Sequence, residues 1–77
     1  MQIYIGNLGR ETTVADLRQV FEVYGTVNSV AISYDETGKS RKSRGFAFVE
    51  MPYDIEAQAA LDGLCGHEMN GRLIIVR

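Results

Sequence analysis

Hydrophobic and polar residues alternate with a period of two in four short stretches of the chain. In the stretches from Ile3 to Leu8 and from Arg44 to Met51, aliphatic residues alternate with aromatic ones. Two more alternating stretches run from Val27 to Tyr34 and through the residues after Gly71. Because successive side chains of a strand point to opposite faces, these stretches predict four strands with two chemically different faces.

A helix is predicted between the first two strands. Thr13 followed by Asp16 three residues later has the pattern of a capping box. Gly25 is placed where a glycine would end the helix. The apolar residues at helical spacing between these positions are Leu17, Val20, Phe21 and Tyr24.

A second helix is predicted after Pro52, which ends the third strand. We expect Asp54 to cap this helix, and Gly63 and Gly66 to break its pattern. The residues expected to face the sheet are Ala57, Ala60 and Leu61.

Only one face of so small a sheet can line a core. The strand residues predicted to be buried are Ile3, Ile5, Val30, Ile32, Ala47, Val49, Met51, Ile74 and Val76. On the opposite face, termed the open face, we expect Tyr4, Phe46, Phe48, Ser29, Ala31, Ser33, Leu73, Ile75 and Arg77. A Phe-x-Phe strand taken alone is more typical of a core. The same alternation around Tyr4 favours exposure of the rings.

Basic residues cluster directly before the two phenylalanines. Four of the eight lie within six positions, namely Lys39, Arg41, Lys42 and Arg44, after a turn-forming segment at 35–38. The net charge of −2 argues against a nucleic-acid partner, but the local field matters more than the total. A charge run by itself is typical of a solvated loop. Beside aromatic residues, it is the arrangement that stacks bases and neutralises phosphates.

Residues 44–51 and 3–8 resemble the two signatures of the RNA recognition motif family. The longer signature reads Lys/Arg-Gly-Phe/Tyr-Gly/Ala-Phe-Val-x-Phe/Tyr, and the chain matches it everywhere except at the last position. There Met51 replaces an aromatic residue on the core-facing side, where a flexible apolar side chain can fill the space. The resemblance covers essentially the whole chain.

The order strand, helix, strand, strand, helix, strand indicates an α+β fold, a ferredoxin-like split βαβ sandwich. The resemblance implies a four-stranded antiparallel sheet of order 4-1-3-2 with two helices on one face. A chain of 77 residues suffices for one modest core. We therefore expect residues 1–77 to form a single RNA recognition motif domain.

The resemblance also implies binding of single-stranded RNA across the open face. In that arrangement Tyr4 and Phe48 would stack successive bases, and Phe46 would pack against the sugars between them. Arg44 would contact a phosphate. The other residues expected to contact nucleic acid are Lys39, Arg41 and Lys42 in the basic loop, with Asn7, Arg72 and Arg77 as secondary candidates.

Two other binding functions stay open. Single-stranded DNA could stack on the same rings, because its discrimination from RNA depends on contacts to the 2′-hydroxyl. Exposed Leu73 and Ile75 would also suit a protein-interaction module of the same fold. No enzyme is expected, because no general base accompanies the aromatic residues. Cys65 and His67 are the only cysteine and histidine, so we expect neither a metal site nor a cofactor.

The sequence also gives an expectation for the compartment. No apolar stretch approaches the roughly 20 residues that cross a bilayer, and Met1 leads directly into a strand without a signal-peptide pattern. We expect a soluble intracellular monomer without a membrane partner. The resemblance to short single-domain bacterial and cyanobacterial members indicates the bacterial cytoplasm.

Overall fold

The computed structural model describes residues 1–9, 11–35, 42–69 and 71–77, without the side chains at 34, 35 and 42–44. Within these ranges the helices and strands follow the predicted order, except that three short strands take the place of the last strand. In chain order they are β1 (Gln2–Gly6), α1 (Val14–Glu22), β2 (Ser29–Asp35), β3 (Lys42–Glu50), α2 (Asp54–Leu64), β4 (Glu68–Met69), β5 (Arg72–Leu73) and β6 (Ile75–Val76).

Four of the strands form an antiparallel sheet in the order β2-β3-β1-β6. The central pair is in register from Gln2 opposite Glu50 to Gly6 opposite Phe46. The backbone N–H and carbonyl of Arg77 bond the carbonyl and N–H of Tyr4, each at 2.9 Å, so the pairing continues past β6. Since β6 is the final strand, the predicted order 4-1-3-2 is confirmed.

The C-terminal segment differs from the single last strand that the sequence predicted. β4 and β5 pair with each other in a separate two-stranded sheet, and only β6 joins the main one. Gly71 has a φ of 78°, a conformation that glycine adopts without steric cost and that permits the reversal between β4 and β5. The predicted alternation of faces still holds here, because Ile74 is buried while Leu73 and Ile75 are exposed.

The predicted capping box of α1 is confirmed. The Thr13 hydroxyl accepts a hydrogen bond from the Asp16 backbone N–H at 3.2 Å, and the Asp16 carboxylate accepts one from the Thr13 N–H at 3.1 Å. These two hydrogen bonds satisfy two of the four backbone N–H groups at the helix start that have no partner within the helix. The last residue of α1 is Glu22, so a short turn separates the helix from Gly25, its predicted end.

Two expectations for α2 were wrong. The N-cap is Tyr53, which has extended backbone and whose carbonyl accepts from the Ala57 N–H at 3.0 Å. Asp54 is instead the first helical residue, a position where the helix dipole also favours negative charge. Gly63 lies inside α2 and does not break it. A side chain at Gly63 would overlap the ring of Tyr24, so this glycine allows Tyr24 to pack against α2.

The core lies between the sheet and the two helices. The residues with no exposed surface are Ile3, Ile5, Leu17, Phe21, Ala47, Val49, Met51, Ala57 and Ala60. Partly buried Val30 and Val76 pack against them, as the alternation predicted. Met51 fills the core at the position where it departs from the family signature. Both helices therefore cover one face of the sheet, which leaves the other open.

Candidate nucleic-acid interface

Three aromatic side chains form one cluster on the two central strands. Tyr4 comes from β1, and Phe46 and Phe48 come from β3, where Phe48 lies directly opposite Tyr4. The ring centroids are 5.8 Å apart for Tyr4 and Phe48, 6.2 Å for Tyr4 and Phe46, and 6.1 Å for the two phenylalanines. Because the strand neighbours Ile5 and Ala47 are completely buried, this aromatic cluster lies on the open face.

The rings of the aromatic cluster are accessible to a ligand. Phe48 is 38% exposed, and Tyr4 and Phe46 are half-buried. Tyr4 and Phe46 are stacked at 29°, whereas Phe48 meets Tyr4 edge-on at 60° and Phe46 at 80°. The cluster therefore offers ring surfaces in two orientations, which can stack bases whatever their sequence.

Gly6, which is not among the predicted site residues, shapes this cluster. A Cβ atom at Gly6 would lie 2.8 Å from the hydroxyl oxygen and 3.1 Å from Cε1 of Tyr4. The Tyr4 ring therefore lies along its own strand, above the position where another residue would carry a side chain. The sequence signal is a glycine two residues after an aromatic residue in a strand, since positions i and i+2 share a face.

The segment before Phe46 is irregular. Gly45 has a φ of 91°, and the register between β2 and β3 shifts between Ile32 and Tyr34. Such bulges bend a strand and redirect its side chains. The Gly45 carbonyl accepts from the Leu8 N–H at 2.9 Å, which keeps the end of β1 tied to β3 beside the bulge.

Asn7 and Arg72 lie together at the end of β1. Asn7 has a φ of 60°, in the left-handed region that asparagine tolerates better than most residues. Its Nδ2 donates to the Leu73 carbonyl at 2.7 Å, and Arg72 Nη1 reaches its Oδ1 at 3.5 Å. Asn7 thus connects β1 to β5, a contact between distant segments that no local sequence signal announces.

The predicted phosphate contacts are described only in part. Lys39 and Arg41 lie outside the described residues. Lys42 and Arg44 belong to β3, but their side chains also lie outside what the structure describes. Arg72 lies on β5 in the separate two-stranded sheet, Arg77 follows β6, and both are exposed. The roles of all these basic residues stay predictions.

The described parts of the chain show no candidate metal site and no candidate membrane span. They contain no group of three or more His, Cys, Asp or Glu residues that could hold a metal ion. None of their helices is sufficiently long and apolar to cross a bilayer.

The chain is similar to known proteins over nearly its full length. The model of the RNA recognition motif family matches residues 3–75. RbpF of Nostoc sp., named for a proposed role in RNA binding, is 51% identical over 73 residues, which cover 94% of this chain and 67% of RbpF. Both signature runs lie within the residues that the family model matches.

Solved structures share the fold. The crystal structure of RNA Binding Protein PG1 has a TM-score of 0.92 and 38% identity, with 100% of this chain and 90% of that chain covered. The Sxl-lethal protein/RNA complex has a TM-score of 0.90 and 25% identity, and covers 99% of this chain and 44% of that one. The likeness extends over all the strands that carry the aromatic cluster.

Proposed function

The chain belongs to the RNA recognition motif family, and on that basis we propose that it binds single-stranded RNA across the open face. The observation that carries this proposal is the aromatic cluster, whose three rings lie within 6.2 Å of one another opposite the buried core. Proteins of this family stack two or three bases on the aromatic residues of their sheet. Binding of this kind makes and breaks no covalent bond, so we propose no enzymatic role and no cofactor.

The geometry of the rings favours one assignment of roles. Tyr4 and Phe48 are directly opposite on the central strands, which supports the proposal that they take successive bases. Their planes differ by 60°, so two bases stacked on them would be splayed apart. Splayed bases belong to single strands and not to duplexes. Phe46 is half-buried beside both rings, a position suited to contact with the sugars between the bases.

Electrostatic contacts supplement the stacking in this proposal. Lys39, Arg41, Lys42 and Arg44 closely precede Phe46 in the chain and would neutralise phosphates. If the loop and Arg72 together engage about three phosphates, log affinity should fall with log salt concentration at a slope of about −2. A titration series at increasing salt measures this slope. An affinity that does not change with salt would remove these residues from the proposal.

An NMR titration of labelled protein tests the proposed face. A randomised pool of short RNA is added at low salt, and the same pool is then used as DNA. We expect shifts centred on Tyr4, Phe46, Phe48 and Asn7, while exposed Ile55 on α2 stays unmoved as the internal control. Comparison of the two pools measures discrimination by the 2′-hydroxyl.

Two outcomes contradict the proposal. Shifts centred on the helices would place the RNA elsewhere. If neither pool shifts any resonance at high protein concentration, the alternative of a protein-interaction module gains weight. Leu73 and Ile75 would then provide its contact surface, since they are 60% and 44% exposed. The aromatic cluster is complete within one chain, so we propose that residues 1–77 act as one domain and bind as a monomer.

A further inference from the structure

An apolar groove lies on the helical side of the fold, away from the open face. It has a volume of about 360 Å³, and its lining residues are Gln19, Val20, Val23, Tyr24, Leu64 and His67. The C-terminal half of α1 with the turn that follows it forms one side, and the end of α2 with the next residues forms the other. RNA binding across the sheet makes no use of this feature.

The groove combines a fixed floor with an accessible apolar edge. Leu64 is 2% exposed and belongs to the core, and Val20 and Tyr24 pack against that core. Val23, in contrast, is 80% exposed at the C-cap of α1. The volume is at the lower end of the range for ligand pockets, about 300–1,000 Å³. The groove can therefore hold one large apolar side chain of a ligand, while the neighbouring residues of the ligand keep that side chain in place.

The two chain segments that form the groove carry a net negative charge. Residues 11–28 and 53–69, which contain both helices, hold seven of the ten acidic residues and one of the eight basic residues. That single basic residue, Arg18, donates to the Val27 carbonyl at 3.2 Å. Glu22 precedes Val23 in the chain, Glu68 follows His67, and both glutamates are exposed. An acidic surface of this kind repels phosphates and attracts a cationic segment.

We propose that this groove binds a basic segment of a protein partner. The segment inserts one aromatic or long aliphatic side chain between Val23 and Leu64, and its Lys or Arg residues lie beside Glu22 and Glu68. The apolar anchor supplies most of the affinity, and the charges supply orientation and association rate. Because the groove and the aromatic cluster lie on opposite sides of the sheet, the partner and RNA can be bound together.

The probe is a pool of synthetic peptides of about 12 residues, each with one Trp or Leu flanked by Lys and Arg at varied positions. In an NMR titration we expect shifts at Val20, Val23, Tyr24 and His67, with the aromatic cluster unmoved. A matched pool with Glu in place of the basic residues should bind much more weakly. Peptide-induced shifts centred on the open face, or none at millimolar peptide, would overturn the inference.

Paired variants separate the groove from general surface effects. Val23→Glu should weaken the peptide that binds best in the pool about tenfold or more. Ile55→Glu makes the same change at a site that is 87% exposed on α2 outside the groove, and should leave binding unchanged. Glu22→Lys should weaken binding more than Glu11→Lys, which gives the same net charge. Equal effects within either pair would overturn the inference.

RNA binding provides an independent readout. Val23→Glu should bind the RNA pool with unaltered affinity, because the substitution lies on the other side of the sheet. Loss of peptide binding with retained RNA binding supports the groove. A chain that binds the peptides but no RNA would contradict the proposed function and leave the groove standing.

Discussion

Replacement of Phe48 by Ala removes a stacking surface from the centre of the open face at limited cost to the fold. The ring is 38% exposed and meets the rings of Tyr4 and Phe46 edge-on at 5.8 and 6.1 Å. Each such aromatic pair contributes about 0.5–1.5 kcal/mol beyond its buried area, so loss of the two ring contacts alone lowers the free energy of unfolding by about 1–3 kcal/mol. A chain of 77 residues typically has a stability of about 4–12 kcal/mol, so most molecules stay folded.

The predicted effect on RNA binding is a loss of about 1–3 kcal/mol, the usual contribution of one stacked base, which raises Kd about 5- to 150-fold. The assay is fluorescence anisotropy of a labelled single-stranded RNA at fixed salt, with the folded fraction of each variant measured by circular dichroism. Phe48→Tyr keeps the ring and should change Kd by about twofold or less. Phe48→Leu keeps an apolar side chain without a ring, and should approach the alanine variant.

Two comparisons make this prediction refutable. Ile55→Ala truncates an exposed apolar residue on α2 and should change neither stability nor Kd appreciably. A folded Phe48→Ala protein with wild-type Kd would remove Phe48 from the interface. A Phe48→Leu protein with wild-type Kd would show that the residue contributes apolar contact and not base stacking.

Two glycines give further predictions. Gly6→Ala should displace the Tyr4 ring, because the new methyl group would lie 2.8 Å from the tyrosine oxygen; we expect an RNA Kd raised about 3- to 10-fold and a changed Tyr4 ring resonance in NMR spectra. Gly63→Ala would ordinarily stabilise a helix by about 1 kcal/mol. Here its Cβ would overlap the Tyr24 ring, so urea denaturation should show a loss of about 1–3 kcal/mol, and a stabilised variant would contradict this reasoning.

The two faces of the sheet could be predicted because strand geometry converts a period of two directly into burial. Ile3, Ile5 and Val49 are completely buried, and the aromatic residues between them in the alternation are not. The prediction of the strand order has a different basis. Alternation says nothing about which strands are neighbours, so the order depended on the family resemblance, which carries information about contacts between distant segments.

The local features that could not be predicted from the sequence depend on contacts between distant segments, or on residues whose pattern fits two structures. Aspartate favours both the N-cap and the first turn of a helix, so composition did not distinguish Tyr53 from Asp54 as the cap. Glycine commonly ends a helix, so Gly63 predicted a helix break. Its actual partner, Tyr24, follows another helix far away in the chain and could not be identified from the local sequence. The hydrogen bond from Asn7 to Leu73 likewise joins segments from opposite ends of the chain.

The net charge of −2 describes neither side of this molecule. Seven of the ten acidic residues lie in residues 11–28 and 53–69, the two segments that contain the helices. Seven of the eight basic residues lie in the rest of the chain, which includes every strand of the main sheet. At physiological salt, charges act over a Debye length of about 8 Å, shorter than the described molecule in its smallest dimension of 17 Å. An approaching RNA strand therefore responds to the side that it faces and not to the total. Repulsion by the acidic helices is therefore screened at the open face, and the helical side is left to ligands of the opposite charge.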